Sequence, residues 1–314
     1  MKKISIVLPC YNEEDNVVPI STEIVNIFET DLTHYDYEII FIDNCSSDNT
    51  RPLLRELCRN NKKIKAIFNA KNFPITSGYH GLQQTTGDCT VILASDFQEP
   101  PALIPSLVRE WENGYKIVSC IKSSSRENKI MNFLRTCYYK TIKKISEVEQ
   151  IEHFTGFGLY DKTFIEVLKK INEPIPWLRG IVAELGFKRK NLNYEQQRRR
   201  AGKSKNNWYT LYDFAMLSFI SYTKIGLRFA TILGFVMGFL SFLVALGYLI
   251  YKLIYWNSFD AGIAPIIIGV FLLGSLQLFF IGFIGEYVIS INMRLRLMGR
   301  PLVIEDERIN FDAD

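Results

Sequence analysis

The chain has 314 residues, 48% of them hydrophobic, with 37 Lys+Arg against 33 Asp+Glu and a formal net charge of +4. Those proportions suit one or two folded domains and exclude a disordered, collagen-like or disulfide-scaffold protein. The average hides an uneven spread: from Ile225 to Ile291 the only charged residues are Arg228, Lys252, Asp260 and Glu286.

The chain opens with two lysines and a five-residue apolar run before Pro9, too short for a signal peptide, so the first 220 residues are expected to stay in the cytoplasm. Ile4–Leu8, Tyr37–Ile42, Ile64–Phe68 and Thr90–Ala94 are rich in β-branched and aromatic residues and read as strands. Glu14–Thr30, Ser47–Asn60 and Ile75–Gln84, between them, are long enough for helices. The alternation predicts an α/β domain built on a mostly parallel sheet with helices on both faces. Such sheets bind ligands beyond the carboxyl ends of their strands. At those ends stand Pro9-Cys10-Tyr11-Asn12-Glu13, then Asp43-Asn44, then Asp96-Phe97-Gln98.

Neither GxGxxG nor GxxxxGK[ST] occurs, so a dinucleotide oxidoreductase and a P-loop NTPase both lack their phosphate cradle. A carboxylate just past a buried strand can instead hold a divalent cation that bridges diphosphate oxygens. Asp96 suits that role, with Gln98 two residues on. The plainer readings are that Asp96 caps a helix beginning near Pro100-Pro101 and that Asp43 to Thr50 is a turn leading into the next helix.

Phe229–Tyr251 and Ala261–Gly285 carry no charge, and each would reach about 35 Å as a helix, enough to cross a hydrocarbon core of about 30 Å. Lys224 and Arg228 precede the first run, and Arg294, Arg296 and Arg300 follow the second. By the positive-inside rule the two runs are expected to form a hairpin with both flanks in the cytoplasm. Gly234 and Gly238 form a GxxxG that fits packing within the hairpin or a homo-oligomer. The six cysteines, all before residue 138, show no CxxC or zinc spacing and read as reduced thiols.

Phe187 to Lys205 has a net charge of +7. A solvated face and a nucleic-acid site are the general explanations. The aromatic, amphipathic segment Trp208–Tyr222 that follows favours the headgroup level of a membrane, with no nucleic acid involved. Arginine there would grip a phosphate by forked hydrogen bonds and lysine as a point charge.

"SIVLPCYNEEDNV", "YEIIFIDNCSSDNT", "NAKNFPITSGYHGL", "VILASDFQEPPALI" and "RRRAGKSKNNWYTLYD", followed by two apolar runs, together resemble the family-two glycosyltransferases of the dolichol-phosphate mannosyltransferase type. The bacterial polyprenyl-phosphate (undecaprenyl-phosphate) glycosyltransferases are the nearest group. The resemblance implies a GT-A fold, a nucleotide-sugar donor expected to be UDP-linked, a Mg2+ or Mn2+ ion and a polyprenyl phosphate acceptor at the bacterial inner membrane. It places Pro9, Tyr11, Glu13, Asp43 and Ser95 at the nucleotide, Asp96 and Gln98 at the metal, and Arg199 and Lys205 of the Arg-xx-Gly-x-Ser-Lys motif at the acceptor phosphate. Arg126 and Arg135 are further phosphate candidates, equally readable as exposed helix positions.

Two departures stand out. The family usually reads Asp-Ala-Asp-Leu-Gln where this chain has Ala94-Ser95-Asp96-Phe97-Gln98, so the metal site loses a carboxylate. Relatives often carry an Asp at the place of Gly156. A lipid phosphate monoester is already largely a dianion at neutral pH, with a second pKa of about 6, so it needs no general base and His80, Glu152 and His153 need not serve as one. The resulting organisation is a GT-A domain over 1–205, a juxtamembrane segment over 206–224, two transmembrane helices over 225–291 and a cytoplasmic tail over 292–314. A processive polysaccharide synthase would add a QxxRW motif, which is absent. A transferase onto a hydroxyl would need a base that Gly156 does not offer, and a membrane scaffold with a degenerate transferase domain is the non-enzyme alternative.

Overall fold

The computed structural model describes residues 1–124, 151, 153–171, 176–197, 199, scattered helical positions between 232 and 254, and 263–311. The first half alternates strand and helix: β1 (Lys3–Cys10), α1 (Val17–Thr30), β2 (Asp36–Asp43), α2 (Thr50–Asn60), β3 (Ile64–Asn69), α3 (Ser77–Gln83) and β4 (Cys89–Ile92). A short 3-10 turn, Pro101–Leu103, leads into α4 (Ile104–Glu112). Then come β5 (Ile117–Ser124), β6 (Phe154–Asp161), α5 (Lys162–Lys170), α6 (Leu178–Glu184), β7 (Arg189–Glu195), α7 (Ile263–Leu297) and β8 (Glu305–Ile309).

The strands form one eight-stranded sheet in the order β7-β5-β6-β4-β1-β2-β3-β8. β4, β1, β2 and β3 pair in parallel, as do β5 and β7, whereas β6 is antiparallel to both β4 and β5, and β8 is antiparallel to β3. Strand periodicity divides the core in two. Ile4, Ile6 and Leu8 pack with Ile20 and Ile24 of α1, Leu54 of α2 and Leu107 of α4. Val7, Ile40 and Ile42 face the other way, onto Leu82 of α3, Phe164 of α5 and Ile181 of α6. Apolar residues buried on both faces are the signature of a parallel sheet covered by helices. The predicted elements of the first half stand within a few residues of where they were placed.

α7 spans 35 residues, about 52 Å of helix. Among the described residues no helix is long and apolar enough to cross a membrane. Most of the first expected span, and the amphipathic segment before it, lie outside the described residues. The described cysteines, Cys10, Cys45, Cys58, Cys89 and Cys120, are free thiols.

Beyond the sequence reading, residues 302–311 fold back onto the sheet. β8 adds to its edge, Ala70 N–H donates to Ile304 O at 2.8 Å and Thr76 Oγ1 to Leu302 O at 2.8 Å. Residues 305–309, within the stretch read as a cytoplasmic tail, thus pair with the sheet of the domain.

Candidate active site

The carboxyl ends of β1, β2 and β4 lie side by side, and each is followed by a non-glycine residue in the left-handed region: Asn12 at φ 54°, Cys45 at φ 64° and Phe97 at φ 62°. Such conformations cost about 1–3 kcal/mol each and persist only where their surroundings enforce them. Here polar bonds do so. Asn12 N–H donates to Ser46 Oγ at 2.8 Å, and Asn12 Oδ1 accepts from Ser47 N–H at 2.8 Å. Glu13 N–H donates to Thr50 Oγ1 at 2.9 Å, so the loops after β1 and β2 are sewn together. On the other side Ser95 Oγ donates to Pro9 O at 2.9 Å.

Asp96 is buried, and its Oδ1 accepts from Gln98 N–H at 3.1 Å in a turn of its own. It caps neither the 3-10 turn nor α4. Its Oδ2 accepts from Arg199 Nε at 3.0 Å and Nη2 at 2.8 Å, and the same Nη2 lies 3.7 Å from Glu13 Oε1. Two carboxylates from different loops thus face one cation supplied by the basic segment. Burial raises the Glu13 pKa, against the opposing influence of Asn16 and Arg199. Gln98 O accepts from Gln197 N–H at 3.2 Å, which holds the segment just ahead of Arg199 on the same loop.

Asp43 is fully buried at the end of β2. Its Oδ2 accepts from Arg51 Nε at 2.6 Å, and both its oxygens face Ser46 N–H, at 3.3 and 3.2 Å. The turn into α2 and the ion pair are both real features of this carboxylate. Tyr11, half-buried, stands on the β1 loop beside Pro9.

Two residues that sequence reasoning passed over belong to the site. Glu99 Oε2 accepts from Ala94 N–H at 2.8 Å and its Oε1 from Thr155 Oγ1 at 2.8 Å, joining the Asp96 loop to the start of β6. Burial, with Asp96 adding to it, pushes its carboxyl up to about 7 against the pull of those two donors. Arg51 is the other. Glu99 sits directly before Pro100-Pro101 and reads as a helix-start acid, and Arg51 lies in the first turn of α2, so neither carries a motif. Gly156 adopts φ +105°, where any side chain would be strained, and its carbonyl accepts from Tyr160 Oη at 2.7 Å. Lys205, Arg126 and Arg135 lie outside the described residues. Of the described residues of the basic run, Lys188 and Lys190 lie 4.8 and 5.7 Å over the Tyr115 ring at the β7 edge, while Arg199 pairs with Asp96.

Among the described residues no group of three or more His, Cys, Asp and Glu is arranged to hold a metal. The donors that are present still fit Mg2+ or Mn2+, which are commonly held by one or two carboxylates together with substrate phosphates. The guanidinium lodged between Asp96 and Glu13 shows that this point accepts positive charge.

A mostly parallel sheet with a carboxylate turn beyond its central strands fits a GT-A-type transferase domain. Residues 5–168 match the model of Glycosyl transferase family 2, and the chain belongs to that family as a glycosyltransferase. An uncharacterized glycosyltransferase, YkoT of Bacillus subtilis, is 32% identical over 91% of this chain and 86% of its own length. The bactoprenol glucosyl transferase of Shigella phage SfX is 29% identical over 96% of this chain and 98% of its own. Among solved structures, glucosyl-3-phosphoglycerate synthase of Mycobacterium tuberculosis overlays with a TM-score of 0.45 at 17% identity, covering 70% of this chain and 78% of that one.

Proposed function

We propose that this glycosyltransferase moves a sugar, with inversion, from a UDP-linked donor to a polyprenyl phosphate at the cytoplasmic face of a bacterial membrane. The observation that carries the reading is the contact between Asp96 and Arg199, because it brings a donor-side carboxylate and an acceptor-side arginine to one point. The bactoprenol glucosyl transferase similar to this chain along nearly its whole length supports the choice of acceptor.

Pro9, Tyr11, Glu13, Asp43 and Ser95 form the nucleotide side of the pocket. A Mg2+ or Mn2+ held by Asp96 and Gln98 would neutralise the charge that develops on a diphosphate leaving group. Arg199, with Lys205 from the same motif, orients the lipid phosphate by charge-assisted hydrogen bonds. The phosphate arrives as a dianion and attacks the anomeric carbon without giving a proton to the protein. Glu99, satisfied by Ala94 N–H and Thr155 Oγ1, serves as a brace for the Asp96 loop rather than as a base.

The two apolar runs form a membrane hairpin in this reading. The uncharged composition of Phe229–Tyr251 and Ala261–Gly285 supports it, and Ile266, Val270, Ile281, Ile284 and Val288 stand exposed along α7, an arrangement suited to lipid. The pairing of β8 with β3 supports a two-crossing hairpin, since it keeps the chain before the apolar runs and the chain after them on one side.

Asp96→Ala is expected to abolish sugar transfer to polyprenyl phosphate in membranes. Arg199→Ala should raise the KM for the lipid by about tenfold or more while leaving nucleotide affinity nearly unchanged, in keeping with the loss of a charge-assisted phosphate contact. Equal losses on both substrates would assign Arg199 a structural role, and transfer undiminished by Asp96→Ala would remove the metal assignment.

A further inference from the structure

The fork of Arg51 reaches three separate segments. Nε donates to Asp43 Oδ2 at 2.6 Å, Nη2 to Asn69 O at 2.6 Å, and Nη1 to Asp306 Oδ2 at 3.3 Å. One turn further along α2, Arg55 pairs with Glu307 at 2.6 Å, and both arginines pack over the Phe68 ring. β8 therefore meets α2 through two adjacent acid–arginine pairs, one of which continues directly to the carboxylate at the end of β2.

Residues 302–305, leading into that strand, likewise grip the loop between β3 and α3 and the first turn of α3. Besides the bonds from Ala70 and Thr76 to residues 304 and 302, His80 Nε2 lies 2.6 Å from Glu305 Oε1. That loop in turn holds Asn44, whose Oδ1 accepts from Phe73 N–H at 2.7 Å and from Asn69 Nδ2 at 3.2 Å. Asp43 and Asn44 are thus bracketed by groups that are themselves fastened to the C-terminal strand.

Building on the assignment of Asp43 to the nucleotide, we propose that Arg51 is a positioning residue for Asp43, and that β8 sets the donor pocket's geometry through it. Arg51 occupies Oδ2 of Asp43. Oδ1 accepts from Ser46 N–H at 3.3 Å and, as a carboxylate oxygen, keeps acceptor capacity for a ligand N–H. Lysine at position 51 would keep the charge but could not bond Asp43, Asn69 and Asp306 at once. Asp306 and Glu307 are partly exposed at 49% and 38%, so their pairs contribute little to global stability. Their effect should appear in ligand affinity instead.

The test uses the full-length protein in detergent, with UDP as the calorimetric probe, and the KM for the nucleotide sugar, the KM for polyprenyl phosphate and Tm measured in parallel. Arg51→Lys and the double variant Asp306→Asn/Glu307→Gln should each weaken UDP binding by about five- to tenfold, a size common for coupled neighbours, and raise the donor KM in step. The KM for polyprenyl phosphate should stay within about twofold, and the tail substitutions should add little in the Arg51→Lys background because both act through one route. A tail variant that melts like the wild type and binds UDP equally well would overturn the inference. If wild-type protein fails to bind UDP, or Asp43→Asn binds it unchanged, the nucleotide assignment fails first and this inference with it.

Discussion

Asp96 joins the two halves of the proposed reaction because it lies on the β4 loop while its partner Arg199 comes from the basic segment after β7. Glu99, three residues on, braces that loop, and its titration gives a test. Its carboxyl is held at about 7 against an ordinary 4.5, so the folded chain binds that proton more tightly than the unfolded one. The stability it contributes is full below about 4.5 and declines as pH rises through about 7. Glu99→Gln should remove that part of the slope in Tm against pH over this window. A variant slope equal to that of the wild type would mean that Glu99 does not titrate there.

At the level of elements, the parallel strands are also locked at the end away from the site. Glu38, at the start of β2, accepts from Ser5 Oγ at 2.5 Å and Thr86 N–H at 2.8 Å, and pairs with Lys3 at 3.1 Å and Lys65 at 2.9 Å. Burial alone would raise its pKa, but Lys65, Ser5 and Thr86 outweigh it and hold the carboxyl at about 2. This contribution is present above the unfolded value and is lost as pH falls from about 4.5 towards about 2. Acid unfolding of Glu38→Gln should therefore show a shallower dependence on pH than that of the wild type over that range. Gly158, on β6, is a second element-level constraint, since a Cβ there would clash with Val118 O of β5. Gly158→Ala should cost about 2 kcal/mol or more in denaturant unfolding, as overpacking does; a change below about 0.5 kcal/mol would show that the sheet relaxes freely at that point.

The contrast between elements explains what could be read from sequence. β1 to β4 are buried on both faces and announce themselves as apolar runs between turn residues. β8 is Glu305-Asp306-Glu307-Arg308-Ile309, four charges in five residues, and owes its place to ion pairs with α2 rather than to hydrophobic pattern. Asp96 and Arg199 were legible separately, through strand-end position and motif, yet their contact joins positions 103 residues apart that no local pattern links. Arg51 and Glu99 acquire their roles only from tertiary partners.

For the molecule as a whole, the strand order gives the sheet two attachments. The chain leaves it at the β7 edge towards the first apolar run and returns at the opposite edge as β8, eight residues after α7 ends. The central claim is the transfer itself. Membranes containing the full-length protein, given polyprenyl phosphate, a divalent cation and each of a panel of radiolabelled nucleotide sugars, should place label from one UDP-sugar into the organic phase as a lipid-linked monosaccharide. No lipid-linked label from any donor, with the protein folded and the cation present, would contradict the account.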